Sequence, residues 1–440
     1  MYNKKQTVLV VAPSNSAADL LVERLGHGGP IPRTQLFRLN AYSRNPREVS
    51  DIVKKHSIIG DNDRFAMPTL AQLKTKRVVV STVVSAGYVY SLGIEKGFYD
   101  CVVVDEAGQA TEPELLIAAS CAGPKTKLVL AGDPKQLGPI IRSKIAVSYD
   151  LHVSLLERLH NIEPYKYVDN GDVGTYCNGY NKNFITKLTY NYRSHPTLLK
   201  VPSALFYNNL LEPKADPLRT TCLMNFEKLP NNKIPFIFHG CVHGKDEREG
   251  NSPSWFNAFE AKLVFQYIQA LSFMRKNRPR MEEIGVIAPY NKQAKKIRDV
   301  LYASGYEGVT VGPVEIFQGR EYKVIIISTV RSSHKHIDFD YKYNLGFLKN
   351  PKRFNVAITR AQALLIVIGN PLVLSCDENW SHLIAYALAN KCYTGDSFDP
   401  KKELPGNRIL DALQVEQNDD DDEDVEAFEP NLEAPFDRNE

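Results

Sequence analysis

Eight short runs along the chain are apolar at nearly every position instead of alternating apolar with polar. They are "VLVVA" (8–12), "RVVVST" (77–82), "CVVVDEA" (101–107), "KLVLAGD" (127–133), "IPFIFHG" (234–240), "IGVIAPY" (284–290), "KVIIIST" (323–329) and "LLIVIGN" (364–370). Continuous β-branched runs of this length are the pattern of strands covered on both faces of a parallel sheet. Helical stretches lie between several of them. "SAADLLVERLG" is expected to place Leu20, Leu21 and Leu25 on one face, behind a Ser14 or Asn15 cap, and to close at Gly26. Thr111 and Glu114 read as a capping box opening a further helix. Alternating strands and helices predict α/β architecture. The strands fall into two groups of four, so we expect two α/β domains meeting at a cleft, residues 1–185 and 186–395. Over 396–440 the apolar periodicity fades, and "NDDDDEDVE" (418–426) reads as a disordered, solvated acidic tail.

With 440 residues, 43% of them hydrophobic, the chain can bury sizeable cores. No apolar run approaches the ~18 residues of a membrane span, and no signal-peptide segment is seen, so a soluble protein with no membrane partner is expected. Seven scattered cysteines with no C-x-x-C pair signal neither a disulfide framework nor a zinc module, and a reducing compartment fits them. His239, Cys241 and His243 in "FHGCVHG" are explained as well by alternation along a strand, and without a fourth ligand a metal reading is set aside. Charge changes the picture more. Residues from Asp396 to Glu440 include 16 acidic and 4 basic side chains, a net of −12, so in a chain of total charge +3 the rest carries +15. A basic body suits a polyanionic partner, although surplus lysine also serves solubility.

Candidate chemistry gathers at the strand ends. In an open parallel sheet ligands bind beyond the carboxyl ends of the strands, which is where Asp105 and Glu106 follow "CVVV". There Asp105 suits Mg²⁺, directly or through water, and Glu106 suits orienting or deprotonating an attacking water; the bland alternative is an acidic pair capping the next helix. "LVLAGDPKQLGPI" adds Gly132 and Asp133 at a second strand end, with Gln136 placed to touch a terminal phosphate or its water. The second half supplies cations, Arg193 in "LTYNYRSHP" and Arg360 in "FNVAITRAQALLIVIG". Two arginines reaching across a cleft would clamp a γ-phosphate, whereas each alone reads as an ordinary surface arginine. In "VEIFQGREYKVIIIST", Gly319 beside Gln318 permits close backbone approach, and Glu321 suits a ribose hydroxyl. Tyr192 reads either as a base-stacking ring or as a core tyrosine. Nucleic acid is expected along the other edge of the same sheets, where Ser14, Asn15, Ser81, Thr82, Pro289 and Tyr290 make a row of small donors suited to a sequence-indifferent single strand, although singly each reads as a helix cap.

A carboxylate pair holding Mg²⁺ against a nucleotide normally works with a G-x-x-x-x-G-K-[ST] loop, and none occurs here; the Gly244-Lys245 pair is followed by Asp246. The remaining motifs form a recognisable series. "APSNSAADLL", "VVVDEAGQATEPELL", "LAGDPKQLGPI", "NYRSHPTLL", "VEIFQGREYKVIIISTVRS" and "LGFLKNPKRFNVAITRA" resemble, in order and spacing, motifs Ia to VI of superfamily 1 RNA helicases of the up-frameshift type. Within that family the chain looks most like the RNA-silencing group typified by the MOV-ten and Armitage proteins. The resemblance, covering roughly residues 7–395, implies two RecA-like P-loop NTPase domains with parallel sheets, the first incomplete, that close on ATP and Mg²⁺ and move 5′-to-3′ on single-stranded RNA. It implies Asp105 as Mg²⁺ ligand, Glu106 as base and Gln136 as γ-phosphate sensor, with Arg193 and Arg360 as arginine fingers. Tyr192 then matches the adenine-stacking position and Glu321 a ribose contact, while Ser14, Asn15, Thr82 and Tyr290 fall on RNA-backbone positions.

Two departures, Gln362 where a basic residue is usual and Tyr190 where a charge is frequent, imply modulation. By the same resemblance the partners are Argonaute/Piwi-type silencing or mRNA-decay proteins, and the location is cytoplasm with ribonucleoprotein granules. The missing phosphate loop leads us to expect a C-terminal portion of a longer protein, nearly inactive as an ATPase by itself. The alternatives are a non-catalytic RNA-binding scaffold and a DNA helicase of the same superfamily.

Overall fold

A computed structural model describes residues 6–27, 31–168, 176–249, 254–332 and 350–399. The acidic run at 418–426, nearly all of the expected tail, and residues 345–349 of the last motif lie outside the described residues. The chain divides into two compact units between Lys187 and Leu188.

Unit one is built on five strands: β1 (Val8–Ala12), β2 (Leu36–Arg38), β3 (Val78–Thr82), β4 (Cys101–Val104) and β5 (Lys127–Leu130). They lie in the order β2-β3-β1-β4-β5, every pair parallel. Successive side chains of a strand face opposite ways, and in β1 both sets are covered. Leu9 and Val11 enter one apolar cluster with Val79, Val102 and Val104, while Ala12 joins Ala18, Val22 and Val80 in another, against which Val8 and Val10 pack. That two-sided burial is what the unbroken apolar runs encode. β5 departs from it. Being the edge strand, it leaves Leu128 and Val129 42% and 44% exposed.

The helix Asn15–Gly26 starts on Ser14, whose side chain accepts from the Ala17 N–H. Its enclosed residues are Ala18 and Val22, with Leu21 and Leu25 at the margin and Leu20 exposed, so the buried face is rotated from the one expected. Thr111 and Glu114 make the full capping box of the helix Glu112–Ala119.

Unit two is built on a sheet of six parallel strands: β6 (Phe236–Gly240), β7 (Ile284–Ile287), β8 (Thr310–Gly312), β9 (Tyr322–Ser328), β10 (Ala361–Gly369) and β11 (Tyr393–Gly395). Their order is β8-β7-β9-β10-β6-β11. Ile237, Val286, Ile326 and Ile366 share one cluster with the helices Ala258–Ser272 and Asn291–Ala303. The alternate residues Phe236, Phe238, Ile325, Ile327, Leu365 and Val367 are buried on the other face. At roughly 1.5–3 kcal/mol for each fully buried aliphatic or aromatic side chain, these two faces dominate the unit's stability. Both sheets have the RecA-like form, parallel strands with helices around them. No described helix is long and apolar enough to cross a membrane.

Candidate functional site

Because the five strands β1 to β5 all run the same way, their carboxyl ends share one edge. Beyond β1 the edge carries Ser14 and Asn15, beyond β4 Asp105 and Glu106, and beyond β5 Gly132, Asp133 and Gln136. Main-chain bonds continue past the strands and tie these turns together. The N–H groups of Asp105 and Ala107 donate to the carbonyls of Val11 and Ala131, each at 2.8 Å.

Glycine makes the approach of the last two turns possible. A Cβ on Gly132 would stand 3.0 Å from the Ala107 nitrogen and 3.1 Å from that of Gly108, and one on Gly108 would stand 3.3 Å from the Asp133 carbonyl oxygen. Between them Glu106 adopts a left-handed conformation, φ 52° and ψ 37°, which for a residue with a Cβ costs about 1–3 kcal/mol and concentrates at functional sites. Its carboxylate accepts from Gln109 Nε2 at 2.8 Å.

Burial pushes the Asp105 carboxyl above its ordinary value, against a bond from the Glu106 main chain and the charge of Arg24, which lower it. A partly desolvated carboxylate gains from an adjacent cation. Mg²⁺ takes only one or two protein carboxylates, completing its shell with water and phosphate oxygens. Asp105 fits that role, although among the described residues no group of three or more His, Cys, Asp and Glu side chains is arranged to hold a metal. Asp133 orders its own turn, its carboxylate accepting from the Lys135 N–H at 2.8 Å and from Gln136 Nε2 at 3.0 Å.

The expected nucleic-acid donors of unit one occupy the same carboxyl edge, not the opposite one, a direct result of the uniform strand direction. Ser14 caps its helix, and the Asn15 amide oxygen accepts from Arg38 Nη2 at 2.9 Å. Ser81 is buried, its hydroxyl donating to the Thr82 carbonyl at 3.0 Å, while Thr82 Oγ1 donates to Ser85 Oγ at 2.9 Å.

In unit two the two sets separate. At the amino edge, where β9 and β10 begin, the Glu321 carboxylate receives three donors: Arg193 Nε at 3.0 Å, Gln362 Nε2 at 2.8 Å and Arg219 Nη2 at 3.3 Å. Burial by itself would raise the Glu321 carboxyl, but Arg193, then Arg219 and Gln362, outweigh it and hold the group below its usual range. Arg193 is seated by Asn191, whose side-chain oxygen accepts its N–H at 2.9 Å, and its Nη1 donates to the Thr359 carbonyl at 3.2 Å. Arg360 is enclosed, with Nε donating to the Val356 carbonyl and Nη2 to Thr359 Oγ1, each at 3.1 Å. Gly319 sits at φ +71° with nothing within 4 Å of a built Cβ, so its turn calls for glycine by conformation alone. Tyr192 is 66% exposed, with the Tyr190 ring edge-on at 6.5 Å.

Pro289 and Tyr290 lie at the opposite, carboxyl edge, beyond β7. The Tyr290 ring is buried with Trp255 and Val330. Val330, a β-branched residue at φ +73°, is held there by Glu260, whose Oε2 accepts the Val330 N–H at 2.9 Å and the Ser328 hydroxyl at 2.6 Å. Elsewhere in the unit, His239 Nδ1 shares a 2.8 Å hydrogen bond with the Tyr267 hydroxyl, Cys241 is buried, and exposed His243 stands 4.0 Å from Asp396.

The sequence reading did not single out Arg38, Arg219 or Glu260. Arg219 lies within a four-residue helix and Arg38 ends a three-residue strand, segments too short for a periodic signal. Glu260 occupies a core position of an otherwise apolar helix face, a local mismatch that was available as a clue.

Two AAA domain families match, over residues 32–144 and 151–372. RNA helicase Mov10l1 of Mus musculus is 45% identical over 396 residues, 90% of this chain and 32% of that protein. The human Mov10l1 helicase is 45% identical over 394 residues, 89% of this chain and 32% of that protein. A Drosophila melanogaster protein named "Probable RNA helicase armi" is 33% identical over 460 residues, 98% of this chain and 37% of that protein. The chain thus spans less than half the length of the curated relatives it matches.

Proposed function

We propose, from the premise that this chain belongs to the AAA domain family and is homologous to helicases of the MOV-ten and Armitage type, that it forms the motor of an ATP-dependent RNA helicase working in RNA silencing or mRNA turnover. The observation that carries the reading is the carboxyl edge of unit one. There Asp105 and Glu106 leave β4, and the turn bearing Gln136 leaves the adjacent β5, brought together by Gly108 and Gly132.

In this reading Asp105 holds Mg²⁺ and Glu106 takes the proton of the attacking water, with its strained backbone aiming the carboxylate. Gln136 offers its amide to the terminal phosphate, from a turn that Asp133 orders. Unit two contributes Arg193 and Arg360 for phosphate charge and Tyr192 for the adenine ring. ATP and Mg²⁺, when bound, supply the phosphoryl group and the metal charge. Residues 14, 15, 82 and 289 line the proposed track for single-stranded RNA, with the buried residues 81 and 290 in support, and Argonaute/Piwi-type or decay proteins in cytoplasmic ribonucleoprotein granules are the proposed company.

The test is steady-state ATP hydrolysis and unwinding of a 5′-overhang RNA duplex by the intact protein. RNA-stimulated turnover is expected, and Glu106→Gln should lower it by about 10²-fold or more while nucleotide binding persists. Undiminished turnover by that variant would remove Glu106 as the base, and the absence of any RNA stimulation would remove the motor reading.

A further inference from the structure

Arg38, the last residue of β2, has a side chain with 0% exposure. All three of its nitrogens donate: Nε to Asp19 Oδ1 at 2.9 Å, Nη2 to Asn15 Oδ1 at 2.9 Å, and Nη1 to the Leu39 carbonyl at 2.7 Å. Asp19 lies on the helix Asn15–Gly26, one turn beyond Asn15. A second arginine shares its carboxylate. Arg44 Nη1 and Nη2 grip the two Asp19 oxygens end-on, and Nη1 also reaches Asn40 Oδ1 at 2.7 Å.

Two guanidiniums therefore share a single carboxylate, leaving one positive charge in excess. A cation enclosed without a matching anion is costly. Burial acts against Arg38, lowering it to about 10, with Asp19 raising it and Arg44 lowering it further. An arrangement serving stability alone would gain by being neutral. The surplus asks for an anion.

Arg44 has the means to receive one. Its end-on pair of nitrogens is committed to Asp19, but the side-on pair, Nε–H and the second Nη2–H, has no acceptor among the described residues. Two parallel N–H groups on one guanidinium edge match two oxygens of a phosphate. The Arg44 side chain retains 12% exposure, so solvent reaches part of it. Asp19 links it to Arg38, which in turn holds Asn15, at the start of the helix that leaves β1 on the carboxyl edge.

We propose that Arg44 is a backbone-phosphate contact for single-stranded RNA at this edge, and that Arg38, beneath it, is its positioning residue, acting through Asp19. The inference rests on reading the edge as the RNA-binding one. It adds a charged contact to a row of neutral donors.

Binding of a labelled single-stranded oligouridine RNA to the full chain, followed by fluorescence anisotropy across a salt series, tests it. Each phosphate contact contributes about 0.7 to the slope of log affinity against log salt on a single strand. Arg44→Gln is expected to weaken binding about tenfold and to lower that slope by about 0.7. Arg38→Lys keeps the charge but gathers its donors on one nitrogen, which cannot span three separated acceptors as the guanidinium does, and should lower the slope as well. Arg44→Lys, which leaves Asp19 a cation, carries the test with reduced affinity if the glutamine variant fails to fold; Asn15→Ala, which removes one acceptor of Arg38 from outside, does the same for Arg38→Lys. A wild-type chain without salt-dependent RNA binding would overturn the edge reading and the inference together. Normal wild-type binding with an unchanged slope in folded Arg44→Gln, or with unchanged affinity in Arg44→Lys where that variant carries the test, would overturn the inference alone, and an effect of the Arg44 variant without one in the Arg38 network would overturn the positioning role.

Discussion

Arg193 and Glu321, separated by 128 positions in the chain, are joined by a 3.0 Å bond from Nε to Oε2 at the amino edge of the second sheet. The same carboxylate also takes Gln362 and Arg219, so three donors converge on Glu321. Its work in this arrangement is to aim Arg193. Glu321→Ala is expected to lower ATP turnover by the intact protein about tenfold, the loss of one charge-assisted contact. Arg219→Ala, removing a more exposed and longer contact, should change turnover by less than about threefold. Steady-state kinetics of the two variants checks this; equal effects would mean that Glu321 acts on something other than Arg193.

Gly132 is held to its identity by backbone. An added Cβ meets two main-chain nitrogens and Leu156 Cδ2 at 3.0 to 3.1 Å, and main chain yields less readily than a flexible side-chain tip. Gly132→Ala should therefore cost about 1–3 kcal/mol of stability, as overpacking does. It should also shift the Gln136 turn. Denaturant titration of the chain measures the first effect, and nucleotide affinity of the intact protein the second.

Glu260 makes stability depend on pH in an unusual direction. Complete burial pushes its carboxyl up to about 8, against the bonds from Ser328 and Val330 that lower it. A folded-state value above the unfolded one, near 4.5, means that the native state binds the extra proton between the two. Stability contributed by this group is full below the unfolded value and falls as pH rises toward 8. Glu260→Gln should flatten that decline, which urea midpoints at pH 6 and pH 9 would reveal. A steeper decline in the variant would contradict the assignment.

Each of the eight apolar runs contains a strand, because burial on both faces leaves no place for polar residues and so marks the sequence strongly. The strands of the two main sheets that were not foreseen, Leu36–Arg38, Thr310–Gly312 and Tyr393–Gly395, are three residues each and lie at sheet edges. A segment that short has no period to read. The helix face was misplaced for a related reason: leucine marks hydrophobicity, but the closest packing against the sheet is made by the smaller Ala18 and Val22. Edge geometry was legible only in part. Local motifs identify a strand end, yet which ends share an edge follows from strand direction, a property of the whole sheet. Hence Asn15 and Asp105 stand on one edge of unit one, whereas Tyr290 and Glu321 stand on opposite edges of unit two. Long-range partners such as Arg219 for Glu321 and Arg44 for Asp19 left no local trace.

β5 has a practical outcome for anyone handling this polypeptide. A border strand that shows Leu128 and Val129 to water offers a ready template for intermolecular β-pairing, restrained chiefly by the charge on Lys127. Purified material should accordingly show concentration-dependent self-association, and a lysine in place of Val129 should suppress it.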